Sequence, residues 1–170
     1  MKFGIVGFSF GLRSEKEEPG PSNLALAHEV VMAMRTYDTT IVVTQWEITK
    51  GMRKYSETPT RSVELHKDGT YLDSKSVWKL AKSEFDSQGV RQVVIIAQPF
   101  LHLPGLRRMI EKDEFEVVNH RLSQRIPFDN SPFNTQPWTR NKFALVIYAI
   151  KSIFGVKHGH NGMQNANENP

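Results

Sequence analysis

The stretch Arg91-Gln92-Val93-Val94-Ile95-Ile96-Ala97, running into Gln98-Pro99-Phe100-Leu101-His102, decides the fold. Consecutive β-branched residues closed by a proline read as a strand buried on both faces, and such strands belong to parallel sheets covered above and below by helices. Just upstream, Asp73 or Ser74 caps a helix in which Val77, Leu80, Ala81 and Phe85 fall at helical spacing, and Gly89 closes it. Just downstream, Leu103 to Lys112 reads as a helix with Pro104 in its first turn, where proline is tolerated. Phe115 to Asn119 follows as a shorter strand.

The same alternation extends outward. Phe3 to Phe10 reads as a buried first strand that runs into a long polar loop carrying Gly11, the charged run Arg13 to Glu18 and Pro19-Gly20-Pro21. Ser22 or Asn23 then caps a helix to about Arg35 that is apolar on most of its circumference, and Thr40 to Thr44 is a second strand buried on both faces. Between Gln45 and Leu72 the pattern is ambiguous: Trp46, Ile48 and Met52 can begin a helix, Pro59 interrupts, and Asp68-Gly69 marks a turn, of a small hairpin or an excursion from the sheet. Arg121 to Pro137 has loop composition, and Trp138 to Phe154 reads as a final helix ending at Gly155, although its apolar run also fits a strand. Strands alternating with helices imply βαβ units, so the expectation is an α/β, three-layer Rossmann-like sandwich with a mostly parallel sheet. Residues 1–155 form one domain in this reading, and 156–170 a disordered tail.

Composition narrows the function classes. The 170 residues contain no cysteine, which removes disulfide frameworks, thiolate zinc sites, iron–sulfur ligation and cysteine nucleophiles. The net charge of +4 permits attraction to anions, but the basic residues are interspersed with acids rather than gathered with groove-reading elements, so no specific nucleic-acid binding is expected. The N-terminal apolar run is too short and glycine-rich for a signal peptide, and Phe143 to Ile150 is far shorter than a membrane span. A soluble, cytoplasmic protein is the resulting expectation, with homo-oligomerisation left open.

Open parallel sheets bind ligands outside the carboxyl ends of their strands. That rule selects Ser9, Phe10 and Gly11 after the first strand, Gln45, Trp46 and Glu47 after the second, and Gln98, Pro99, Phe100 and His102 after the third. Asn119, His120 and Arg121 follow the fourth. Gly7-Phe8-Ser9-Phe10-Gly11 offers backbone amides as a phosphate loop would, or uses its glycines merely to turn and pack closely. Its spacing matches neither the dinucleotide fingerprint nor the P-loop, and no nucleophile elbow surrounds Ser9. His102 titrates near neutrality and can act as acid, base or anion contact, or simply satisfy the start of its helix. Glu47 and Asp73 can supply carboxylates for acid–base work or a divalent ion; against this, Asp73 suits an N-cap and Glu47 a solvated first turn. Arg107 and Arg108, a turn beyond His102, can reach a phosphate or form a solvated face. His158 and His160 read as a flexible surface pair rather than a metal site.

Taken together, the first strand with Gly7, the buried helix, the second strand, the Asp73-Ser74 helix start, the run from Val93 through His102 and the terminal Trp138 helix resemble the SanA/ElyC/YdcF family over most of residues 3–155. The resemblance implies a Rossmann-like α/β fold, an association of several members with the bacterial envelope, and binding of an S-adenosylmethionine-like nucleotide. His102 is the position it carries over. The chain departs from the family at Gly105, where members have an arginine, and it only approximates the family's acidic and Ser/Asn-Thr stretch with Glu64 and Asp73-Ser74. These departures favour ligand binding or a diverged role over catalysis.

Three functional expectations follow. The first is a protein that binds a small anionic or nucleotide-like ligand, in which Gly7, Ser9, Gly11, Trp46 and Gln98 line the site, Trp46 stacks, Glu47 fixes a hydroxyl or amine, and His102 hydrogen-bonds or transfers a proton. The second is a hydrolase of phosphorylated or glycosylated substrates with His102 as acid or base and Glu47 or Asp73 as partner. The third is an interaction module whose partner surface comprises Arg13 to Pro21 and Phe128 to Trp138.

Overall fold

A computed structural model describes residues 2–13, 18–64, 72–100 and 102–153. Its centre is a five-stranded parallel sheet of order β3-β2-β1-β4-β5, built from β1 (Phe3–Gly7), β2 (Val42–Gln45), β3 (Arg61–Val63), β4 (Gln92–Ile96) and β5 (Glu116–Val118). The helices are α1 (Pro21–Thr36), α2 (Trp46–Met52), α3 (Ser74–Ser87), α4 (His102–Glu111) and α5 (Lys142–Ile153). Alternation of side chains along β1, β2 and β4 divides the core in two. Val6, Val43, Val93 and Ile95 meet Val77, Ala81 and Phe85 of α3 and Leu106 and Ile110 of α4. Ile5, Val42, Val94 and Ile96 meet Leu26 and Val30 of α1, Ile48 of α2 and Leu145 of α5. This is the expected three-layer α/β, Rossmann-like sandwich, and its strand order reverses between β1 and β4, the place where open α/β sheets form their crevice.

Local chemistry explains the elements and several departures from expectation. Asp73 accepts a hydrogen bond from Ser76 N at 2.8 Å and caps α3 as anticipated. Gly89, at φ +70, ends that helix, with Val90 N bonded to Phe85 O at 2.9 Å. α1, in contrast, starts at Pro21 with Gly20 at its cap and no capping side chain; Asn23, expected there, is used elsewhere. The final helix begins at Lys142 rather than Trp138, which lies in a 3-10 turn, Pro137–Thr139. The ambiguous middle segment resolves into α2, a 3-10 turn (Arg53–Tyr55) and the edge strand β3; Asp68-Gly69 and the tail from Lys157 lie outside the described residues. Gly7 faces helices rather than the crevice: a Cβ there would stand 2.9 Å from Thr44 Cγ2 and 3.2 Å from Ile48 Cδ1. Its smallness lets α1 and α2 close on β1, which accounts for it by packing rather than by ligand contact.

Candidate functional site

The loop after β1 and the first turn of α2 form one hydrogen-bonded unit. Ser9 Oγ donates to Glu47 Oε2 at 2.8 Å, and Ser9 N donates to Gln45 Oε1 at 2.8 Å. Glu47 is not the solvated residue that a first-turn position suggests, since it is 1% exposed. Burial pushes its carboxyl up to about 7, against the opposing hydrogen bonds from its own backbone N–H and from Ser9. Glu47 Oε1 and the indole Nε1 of the adjacent buried Trp46 have no hydrogen-bond partner among the described residues. Two neighbouring buried polar groups without partners are uncommon in a folded chain and mark a place for chemistry.

The glycine loop does not present its amides as a phosphate loop would. Phe8 N donates to Ile96 O, Phe10 N to Asn23 Oδ1 and Leu12 N to Asn134 Oδ1, in addition to Ser9 N. Gly11 takes φ +91, which suits glycine, and its carbonyl accepts from Asn23 Nδ2 at 2.8 Å. These four donors are spent on the fold itself, so the turn around Ser9 and Gly11 does not offer an anion the amides of Phe8, Ser9, Phe10 or Leu12.

At the end of β4, Gln98 also serves the turn: its Oε1 accepts from Phe100 N at 2.6 Å, and its carbonyl accepts from Leu103 N. His102 opens α4, with its ring between those of Phe8 and Phe10 at centroid distances of 6.1 and 6.3 Å. Its Nε2 lies 3.2 Å from Ser74 Oγ, while Nδ1 is buried and unpartnered among the described residues. Desolvation lowers its pKa to about 4, so the imidazole is neutral at physiological pH. No hydrogen bond joins His102 to Glu47 or Asp73 among the described residues; Asp73 is occupied by its cap, and its neighbour Ser74 is the residue that meets the ring. Arg107, read as reaching a phosphate or forming a solvated face, binds Glu111 and Asn119.

A polar clamp that sequence patterning missed closes over the β1 loop. Asn134, fully buried, accepts from Leu12 N and Gln136 N and donates to Asp129 O and Thr139 Oγ1. Arg13 pairs with Asp129 through both Nε and Nη2 at 2.8 Å. Phe128 packs edge-on against Phe10, and Trp138 stacks on Tyr148 at 4.7 Å. Arg13, Phe128 and Trp138 are thus engaged within the chain, whereas Phe133 of the expected partner segment stands 58% exposed. Also missed is the fully buried Glu29 on α1, whose carboxylate accepts from the N–H of the exposed Ser123 at 2.8 Å.

An open groove of about 590 Å³ lies beside α1, lined among others by Pro21, Leu24, Tyr55, Arg125 and Phe128. None of Gly7, Ser9, Gly11, Trp46, Glu47, Asp73, Gln98 and His102 lines it, whereas Pro21 and Phe128 of the expected partner segments do, and Phe128 also touches Phe10. No group of three or more His, Asp or Glu side chains among the described residues is placed to hold a metal ion. No helix among them is long and apolar enough to cross a membrane. No family model, no curated protein and no solved structure matches this chain.

Proposed function

We propose that this chain is a SanA/ElyC/YdcF-like protein that binds a small anionic, nucleotide-like ligand at the carboxyl ends of its strands. The observation that carries this reading is the set of buried, unpartnered polar atoms there: Trp46 Nε1, Glu47 Oε1 and His102 Nδ1. Such atoms regain hydrogen bonds when a ligand supplies them. Glu47 lies two residues past the end of β2, close to where doubly wound nucleotide-binding folds place the acid that takes a ribose hydroxyl. Its carboxyl and the Trp46 indole suit a nucleoside's hydroxyls, amines and ring acceptors, so a nucleoside such as that of S-adenosylmethionine fits these residues. A phosphate cradled by the 7–11 loop fits less well, because the amides of Phe8, Ser9 and Phe10 are taken. An anionic group at this place would meet the side-chain donors Trp46 Nε1–H and the neutral His102 ring.

The test is a thermal-shift screen against nucleotides, S-adenosylmethionine and sugar phosphates, repeated with Glu47→Gln and His102→Ala. A ligand at about 100 times its dissociation constant adds about 2.7 kcal/mol. A shift present in the wild type and lost in the variants supports the site. Absence of any shift across the panel removes the reading.

A hydrolase is the second reading, favoured by the 3.2 Å approach of Ser74 Oγ to a neutral His102 Nε2. It requires turnover of generic phosphoester or ester substrates that disappears in both Ser74→Ala and His102→Ala.

A further inference from the structure

The last helix is the most apolar of the long helices and, over residues 142–150, is largely unburied. Of residues 142–150, Leu145 alone enters the core, whereas Phe143 is 74% and Ile150 48% exposed. At about 100° per residue, positions 143, 146, 147 and 150 share one face. All four are apolar, and Val146 and Ile147 between the exposed ends are only half-buried. Lys142 and Lys151 fall about a quarter turn to either side of this stripe. The sequence around it is one-signed: Arg140, Lys142, Lys151 and Lys157 lie between Asp129 and Glu168, and no acidic residue intervenes. Lys142 sits at the rim of the stripe with its Nζ 4.4 Å from the centroid of the Phe100 ring.

From this arrangement we infer that the Phe143, Val146, Ile147 and Ile150 face of α5 docks onto an anionic lipid surface, with the helix lying in the plane of the interface. An apolar stripe bordered by lysines is what such a surface takes up: the stripe enters the acyl boundary while the ammonium groups remain among the headgroup phosphates. Charge argues against a second copy as the occupant. Two α5 helices packed antiparallel across this face would bring Lys142 of one copy toward Lys151 of the other, without an acid on the helix to offset them. The inference is independent of the ligand site, which uses none of these residues.

Co-sedimentation of the full chain with vesicles tests it, using phosphatidylcholine alone and a mixture containing phosphatidylglycerol. Binding is expected to the anionic vesicles and not to the neutral ones, and to weaken as salt rises. Phe143→Ser with Ile150→Ser should bring the bound fraction to background, and Lys142→Gln with Lys151→Gln should weaken binding on the order of tenfold. Circular dichroism and melting temperature check that these surface variants fold; Ile150→Asp alone serves as a second probe if the double variant does not. Failure to bind anionic vesicles overturns the inference, as does binding that survives both apolar substitutions. Dimerisation lost with the same substitutions, in a chain that ignores vesicles, assigns the face to a second copy and also overturns it.

Discussion

Ser9 and Glu47 share a hydrogen bond of 2.8 Å in which a hydroxyl from the β1 loop donates to a carboxyl that is 1% exposed. The bond satisfies one oxygen and leaves the other alone, so the first turn of α2 carries a carboxyl that ionises only at a cost. His102 has the opposite property, a base held neutral by burial. The two groups pull the pH dependence of stability in opposite directions.

Folding raises the Glu47 pKa from 4.5 to about 7, so its contribution is fully present below pH 4.5 and is lost as pH rises through 7. For His102 the pKa falls from 6.5 to about 4, so stability is fully present above pH 6.5 and is lost as pH falls toward 4. Between these limits the slopes offset each other in the wild type. Glu47→Gln removes the first. Stability of that variant should rise with pH up to about 6.5, and at pH 8 it should exceed the wild type by up to about 3 kcal/mol. Denaturant titrations at pH 5, 6.5 and 8 measure this, and a variant no more stable than the wild type at pH 8 would show that Glu47 ionises freely.

Asp73 is expected to matter to the helix rather than to the ligand. Asp73→Ala should lower stability by about 1 kcal/mol through loss of the bond from Ser76 N, while Asp73→Asn should lose less. Ligand-induced thermal shifts should be the same in all three proteins. A shift abolished by Asp73→Asn, which retains a cap acceptor, would return this carboxylate to the site.

Much of this was legible in the chain because it depends on local pattern. The β-branched run of β4, the Asp73 cap and the apolar spacing of α3 each express a short-range preference, and together they imply a parallel sheet between helices. β3 was not legible. Arg61–Val63 is a three-residue edge strand with a proline just before it, and only its pairing with Gln45 and its neighbours on β2 makes it a strand. The site divided in the same way. Strand-end topology found Glu47 and His102, but not that Glu47 is buried or that Ser74, 28 residues away, meets the imidazole. Asn134 gave no signal, because an asparagine in a loop of loop composition looks alike whether it faces water or Leu12, 122 residues before it.

Gly7 offers a sharper check on packing. Gly7→Ala places a methyl 2.9 Å from Thr44 Cγ2, where the flanking strands and α1 leave no slack, and should cost about 1–3 kcal/mol. Thr44→Ser removes that Cγ2 and keeps the hydroxyl that meets Thr49 Oγ1 at 2.8 Å. In a double-mutant cycle the second change should recover part of the loss, giving a coupling of roughly 0.5 kcal/mol or more. Additive effects would mean that the clash lies elsewhere.

The Asn134 clamp carries the strongest expectation for the order of the site. Its side chain satisfies the amides of Leu12 and Gln136, the carbonyl of Asp129 and the hydroxyl of Thr139 from a fully buried position. Asn134→Ala strands several of these groups at once, and each buried group left without a partner costs about 1–3 kcal/mol. The chain as a whole should lose about 3 kcal/mol or more. Hydrogen exchange separates a local from a global effect: protection should fall first at Leu12 and Gly11, then at Ser9, while Val93 to Ile96 in β4 keep protection set by the remaining global stability. Release of this clamp should also loosen Phe10 from Phe128 and open the wall beside His102, so the variant's imidazole should titrate closer to 6.5 than to 4 by nuclear magnetic resonance. Unchanged exchange at Leu12, with His102 still neutral at pH 5, would mean that the β1 loop holds its shape without Asn134.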